Sequence, residues 1–225
     1  MRLKALIALF TGLLAATSLA SAQVPAQAPV GPPPLDPENT LLLDLSTGGR
    51  VTIQLRPDMA PGHVERVKTL VRRGFYNGLT FHRVIEGFMA QGGDPKGDGT
   101  GGSDLPDIKA EFNALPHLRG TLSAARAESP DSANSQFFLM LVPRLSMDGK
   151  YTAYGRVVSG MNFVDALNRG EPPAEPSRIL KASIAADGAA PPTAAESAAP
   201  APPALQVPAP AVQVPAPAGA ATTPQ

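Results

Sequence analysis

The stretch FHRVIEGFMAQGGDP, residues 81–95, sets Arg83, Met89 and Gln91 among residues that otherwise read as two short apolar strands broken by Gly87. A second apolar run, SQFFLM at 135–140, carries Gln136 beside Phe137, Phe138 and Met140. Side chains alternate faces along a strand. Phe137, Leu139 and Leu141 therefore share one face, and Gln136, Phe138 and Met140 the other. Met89 and Gln91 share a face by the same rule, and Arg83 falls with Phe81 and Ile85. An always-charged guanidinium, two amides and several large apolar side chains on common faces would make an apolar groove with a few convergent donors, the general form of a ligand site. Taken singly, each residue has a plainer place: Phe138 and Met89 in a core, the glutamines as satisfied sheet amides, Arg83 with its stem buried and its head in water. The case for a site rests on their joint occurrence.

Other chemistries find no footing. The chain has no cysteine, which removes disulfides, thiol nucleophiles and thiolate metal sites. His63, His82 and His117 show no metal-ligand spacing, so no metal is expected. Ser123, Ser135 and Ser146 lack the setting of a nucleophile elbow. GDPKGDGTGG, residues 93–102, lacks the phosphate-loop lysine and is followed by SDLPDIK, which does not open a helix. Its glycines suit a tight surface loop. No cofactor is expected. The formal net charge is zero, so nothing electrostatic favours nucleic acid.

The elements that must position these residues lie in one compositionally ordinary block, residues 38–186. TLLLDLS and RVTIQL flank TGG, a hairpin signal. APGHVERVKTLVRRG predicts a helix: Pro61 suits its first turn, Val64, Val67, Leu70 and Val71 form its apolar stripe, and Gly74 stops it. Asp58 is the candidate cap. LTFHRVI, GFMAQ, GTLSAA, SQFFLMLV, AYGRVV and RILKASIA predict further strands, and MNFVDALNR a second short helix. Two helices and about eight short strands make a mostly β fold. Short antiparallel strands best avoid open edges by closing, so the expected architecture is a closed eight-stranded antiparallel β-barrel capped by two α-helices, with a sandwich as the alternative.

The ends differ in character. MRLKALIALFTGLLAATSLASA has Arg2 and Lys4, an apolar run, then small residues, the order of a secretory signal peptide over residues 1–22 with cleavage expected after Ala22. The apolar run is short for a membrane span, which needs about 20 residues. Cleavage leaves 17 basic against 19 acidic residues. The expected destination is a Gram-negative periplasm, with no membrane association afterwards. Residues 23–37 read as a Pro/Ala-rich linker and 187–225 as a disordered Pro/Ala-rich tail, in which 24 of 39 residues are Ala or Pro, too few apolar groups to offset chain entropy. QVPAPAV at 206–212 is followed by QVPAPAG at 213–219, which reads as a spacer or a polyproline recognition motif.

Three blocks in order, FHRVIEGFMAQGGDPKGDGTGG, GTLSAARAESPDSANSQFFLML and MDGKYTAYGRVVSGMNFVDAL, resemble the signature blocks of the cyclophilins, with bacterial secreted members the nearest fit. The likeness runs from about Thr40 to Ile184. It implies the eight-stranded barrel with two helices and peptidyl-prolyl cis–trans isomerase activity. By motif, Arg83 falls on the family's catalytic arginine. Phe88, Met89, Gln91, Ala125, Arg126, Gln136, Phe138, Met147 and Tyr151 fall on substrate-binding positions. Four positions depart from common family residues: Glu86 replaces a proline, Arg126 stands where many eukaryotic members carry Asn, Ser146 where those members carry Trp, and Tyr151 where many carry His. Without that Trp, tight cyclosporin binding is not carried over.

The resemblance implies rotation about X-Pro bonds in unfolded or proline-containing polypeptides, by a monomer. That barrier, about 18–20 kcal/mol, comes from delocalisation of the amide nitrogen lone pair. No bond is broken, so no nucleophile, metal or cofactor is required. A non-catalytic proline-binding module or periplasmic holdase is the alternative, and a tail that occupies its own groove is a further possibility.

Overall fold

A computed structural model describes residues 34–188. The expected signal peptide, the linker to residue 33 and the tail from residue 189 lie outside the described residues. Among the described residues the strands are β1 (Thr40–Leu45), β2 (Gly49–Leu55), β3 (Arg83–Ile85), β4 (Met89–Gly92), β5 (Thr121–Ala124), β6 (Phe137–Met140), β7 (Ala153–Ser159) and β8 (Ile179–Ile184). Two α-helices accompany them, α1 (Pro61–Arg72) and α2 (Met161–Asp165). Each predicted strand and helix is present, most of them trimmed at the ends.

Local chemistry explains the first elements. β1 and β2 pair from Thr40 with Gln54 to Leu45 with Gly49, across a three-residue turn closed by a bond from the Gly48 N–H to the Leu45 carbonyl. Gly48 has φ +96°, the left-handed region that glycine enters without steric cost. In β2 the buried residues Val51, Ile53 and Leu55 alternate with more exposed Thr52 and Gln54, so one face is core. α1 buries the predicted stripe Val64, Val67, Leu70 and Val71 against that core.

The start of α1 differs from expectation. Its capping position is Ala60, which offers no side-chain acceptor, and Asp58 instead pairs with Arg56 at 2.6 Å. The cap comes from Glu111, whose two carboxylate oxygens accept from the Gly62 and His63 backbone N–H groups, each at 3.0 Å. The same carboxylate meets His63 Nδ1 at 2.6 Å. Asp58 loses the role because a bidentate arginine lies two residues away, while first-turn N–H groups donate to any correctly placed carboxylate. Glu111→Ala is expected to cost about 2 kcal/mol, from a lost cap and charged hydrogen bonds. Chemical denaturation checks this, and an unchanged midpoint would show that water replaces the carboxylate.

The sheet corrects the expectation of a closed barrel. Its order is β3-β4-β6-β5-β7-β2-β1-β8, so β3 and β8 are edges that do not pair as strands. The described residues are mostly β with two α-helices, and the sheet is an open half-barrel. The reason lies at β3, which has only three residues. Its outer edge is taken by loop backbone: Val84 and Gly170 exchange N–H···O bonds of 2.8 and 2.9 Å. The segment leading into β3 bonds to the start of β8, through Gly78 N–H to Ile179 O at 2.6 Å and Ile179 N–H to Leu79 O at 2.9 Å. Edge groups are thus satisfied by loops, as buried backbone requires.

Two apolar clusters result. The main core joins β1, β2 and α1 to Phe81, Val84, Phe137, Leu139 and Leu141. The second gathers Phe88, Met89, Ala125, Phe138, Met140, Met147 and Tyr151, with Ile85 packed against it. Alternation along β6 therefore separates the faces as the pattern predicts. Phe81 is the exception: it lies in the main core, not with Arg83 and Ile85, because residues 81 and 82 are outside the strand and the alternation does not extend to them.

Candidate active site

The second cluster is built by strand register. Arg83 lies opposite Gln91, Gln91 opposite Phe138, and Phe138 opposite Ser123, a row across β3, β4, β6 and β5. One step along, Ile85, Met89 and Met140 form a second row. The charged and amide positions thus border a contiguous apolar patch completed by Phe88, Ala125, Met147 and Tyr151.

Arg83 opens the first row. Its side chain is 14 % exposed, and its Nε donates to Glu171 Oε2 at 2.6 Å. Gln91 is fully buried and donates through Nε2 to Gln136 Oε1 at 2.9 Å. Gln136 in turn donates to the carbonyls of Gly101 at 2.7 Å and Gly99 at 3.2 Å, so it ties Gln91 to the glycine loop. That loop is organised around Asp94, which is buried and accepts from the backbone N–H groups of Lys96, Asp98 and Gly99. It is a tight loop, as the glycines predict, with Asp98 at the surface and its inner side walling the site. Beyond Arg83 a cleft of about 320 Å³ is lined by His82, Arg83, Gly97, Asp98, Gly99, Glu171 and Pro172.

Phe138 is held on two sides. His117 stacks on it with centroids 6.1 Å apart, and Tyr151 meets it edge-on at 5.8 Å. The Arg126 guanidinium lies over the Tyr151 ring at 4.7 Å. Its terminal nitrogens donate to the carbonyls of Ala127, Glu128 and Lys150, so Arg126 staples two loops beside the patch. The Ala125 N–H donates to the Gln136 carbonyl at 3.0 Å. Burial pushes the Tyr151 hydroxyl up in pKa, opposed by Arg126 and Arg83, so it stays a neutral donor at pH 7.

All ten residues singled out from the sequence lie in or against this patch. The motif reading passed over three features. Met140 and Ile85 also line the patch; Met140 shares a strand face with Phe138, a signal the alternation already carries. Glu171 reaches Arg83 from 88 residues away, which no local pattern announces. Behind Phe138, Ser123 Oγ lies 2.9 Å from His117 Nε2, and His117 Nδ1 lies 2.8 Å from Asp148 Oδ1. This order of groups is that of a serine nucleophile relay. Ser123, however, is fully buried within the row itself and its hydroxyl is engaged by His117, whose ring stacks on Phe138, so the chain of bonds braces the Phe138 platform instead.

The three histidines make a prediction about pH. His63, His82 and His117 are all buried, and burial lowers each pKa below the ordinary value, with Glu111, Asp94 or Asp148 only partly offsetting it. The unfolded chain then binds protons that the folded chain refuses. Stability is complete above about pH 6.5 and is lost as pH falls toward the folded values, by up to about 1.4 kcal/mol per histidine per pH unit. The urea midpoint is expected to drop between pH 7 and pH 5. A flat midpoint across that range would contradict the burial of these rings.

Comparisons with known proteins agree on one family. Residues 42–184 match the profile of the family described as cyclophilin type peptidyl-prolyl cis-trans isomerase/CLD. A probable peptidyl-prolyl cis-trans isomerase of Brucella suis is 49 % identical over 168 residues, covering 68 % of this chain and 85 % of the relative. Peptidyl-prolyl cis-trans isomerase B of Bacillus subtilis is 43 % identical over 129 residues, covering 56 % and 89 %. Among solved structures, the cyclophilin AquaCyp293 of Hirschia baltica superposes with a TM-score of 0.64 at 30 % identity, covering 68 % of this chain and 76 % of that one. A Cryptosporidium parvum cyclophilin type isomerase, crystallised in the presence of the dipeptide Ala-Pro, gives 0.61 at 26 % identity, covering 64 % and 98 %.

Proposed function

This chain belongs to the cyclophilin family and is a peptidyl-prolyl cis–trans isomerase, and from that premise we propose that it turns X-Pro bonds by stabilising the twisted amide without covalent chemistry. The observation that carries the mechanism is the cross-strand row Arg83, Gln91 and Phe138 beside the apolar patch. At 90° of twist the nitrogen lone pair leaves conjugation and becomes a hydrogen-bond acceptor. A fixed guanidinium donates to it, and this contact is available mainly in the transition state.

Magnitudes divide the work. A charged hydrogen bond contributes roughly 1.5–3 kcal/mol. An acceleration of about 10⁵-fold needs roughly 7 kcal/mol. Arg83 therefore supplies part, and the apolar patch supplies the rest, because the twisted amide is less dipolar than the planar one and loses less by leaving water. Phe88, Met89, Phe138 and Met147 hold the proline ring. Gln91, oriented by Gln136, and the backbone near Ala125 grip the carbonyl side while the other side rotates. The substrates are unfolded or proline-containing polypeptides and the working unit is a monomer. The N-terminal order of charged, apolar and small residues supports export to the periplasm and a mature chain starting at Gln23.

The test is exchange spectroscopy on an Ala-Pro peptide with a substoichiometric amount of the chain from Gln23. Accelerated cis–trans exchange is expected, with peptide-dependent shifts concentrated in β3, β4 and β6. Acceleration accompanied by shifts confined to another face would overturn this placement of the site.

A further inference from the structure

Residues 169–171 run antiparallel along the outer edge of β3 and touch residues 83–86 at three points. Arg169 Nε donates to Glu86 Oε2 at 2.5 Å. Gly170 and Val84 exchange two backbone bonds. Arg83 Nε donates to Glu171 Oε2 at 2.6 Å. The strap is anchored at its base, where the Asn168 N–H donates to Ser177 Oγ at 3.0 Å and Asn168 Nδ2 to the Glu175 carbonyl at 2.6 Å. Gly170 has φ +146°, and a Cβ there would stand 2.5 Å from Pro173 Cα, so only glycine allows this path. Glu86, which replaces the proline common in the family, therefore points into a latch rather than into the groove.

We propose that Glu171 is a positioning residue for Arg83: its carboxylate takes the Nε–H and thereby sets the plane in which the remaining guanidinium donors meet the twisted amide. A guanidinium presents its donors in a rigid planar fork. Fixing Nε on one carboxylate oxygen removes rotation about the end of the side chain and aims the terminal nitrogens together. Glu171 is half exposed, so it remains solvated and leaves no stranded charge when its partner moves. The opposite role, a carboxylate that competes with substrate for Arg83, predicts faster turnover on its removal.

This inference rests on the proposed role of Arg83, and the experiment separates the two. Peptide isomerisation is measured for wild type, Glu171→Ala, Glu171→Gln, Arg83→Ala and the Arg83→Ala/Glu171→Ala double variant, with the Arg83 Nε–H resonance followed by NMR. Glu171→Ala is expected to lower kcat about tenfold with KM within twofold, and to shift and broaden the Nε–H signal. Glu171→Gln, whose amide oxygen accepts the same bond, is expected to recover kcat to within about threefold of wild type. In the Arg83→Ala background the Glu171 substitution is expected to add nothing. An equal or faster Glu171→Ala, a Glu171→Gln as slow as Glu171→Ala, or a further full loss in the double variant each overturns the positioning role. A fully active Arg83→Ala sinks the role of Arg83 itself, and a crippled Arg83→Ala beside an unimpaired Glu171→Ala sinks only this proposal.

Discussion

An Arg83→Ala variant is expected to keep the fold and peptide affinity while losing about a hundredfold in kcat/KM. The magnitude follows from the upper part of the range for one charged hydrogen bond, roughly 1.5–3 kcal/mol, at about 1.4 kcal/mol per tenfold. The fold survives because Arg83 sits at the margin of the apolar patch and its partner Glu171 is half exposed, so its loss strands no buried charge. Affinity survives because the donor is needed at the twisted amide and not at the planar one. Arg83→Lys is expected to recover little: a point-charge ammonium cannot bond Glu171 and the substrate in the same planar geometry. Peptide isomerisation and circular dichroism on the same samples decide the matter. A folded Arg83→Ala protein with a third or more of wild-type activity would move the chemistry from the guanidinium to the apolar patch alone.

The second large effect is expected at Phe138. Its ring is fully buried between His117 and Tyr151. Phe138→Ala removes that ring and leaves a cavity, at a cost of about 3–5 kcal/mol. For a domain of this size each kcal/mol is worth about 3 °C, so a fall in Tm of roughly 10–15 °C is expected. Activity should fall as well, because the proline ring loses its platform and His117 and Tyr151 lose a shared neighbour. Phe138→Leu separates the two effects: it keeps most of the volume, costs about 1–2 kcal/mol and should remain folded at assay temperature while turning over slowly. Calorimetry and the peptide assay together report both losses. A Phe138→Ala protein melting within 3 °C of wild type would show that the ring is not the keystone its burial implies.

Much of this was open to reading along the chain. The period-two pattern in β6 assigned Phe137 and Leu139 to one face and Phe138 and Met140 to the other, and the two apolar clusters divide along that line. The stripe of α1 and the glycine turn between β1 and β2 were equally legible, since each depends on neighbours within a few residues. The same reasoning failed at Phe81, where a strand of three residues is too short for its alternation to reach back. It also failed at Asp58, because a cap was sought beside the helix while the carboxylate arrived from Glu111.

By itself, then, the sequence determined the element types, the two-faced strands, most of the apolar residues that cluster beside Arg83 and, through three ordered motifs, the family. These rest on local sterics and on side-chain periodicity, which a single pass along the chain contains. Only the tertiary structure decided that the sheet stays an open half-barrel, that Glu111 caps α1, that His117 and Asp148 brace Ser123 behind Phe138, and that Glu171 holds Arg83. In each case the partners are brought together from separate segments. A hydrogen bond needs two groups within about 3 Å, and the spacing of residues along a chain says nothing of that distance until the sheet has brought its strands and loops into register.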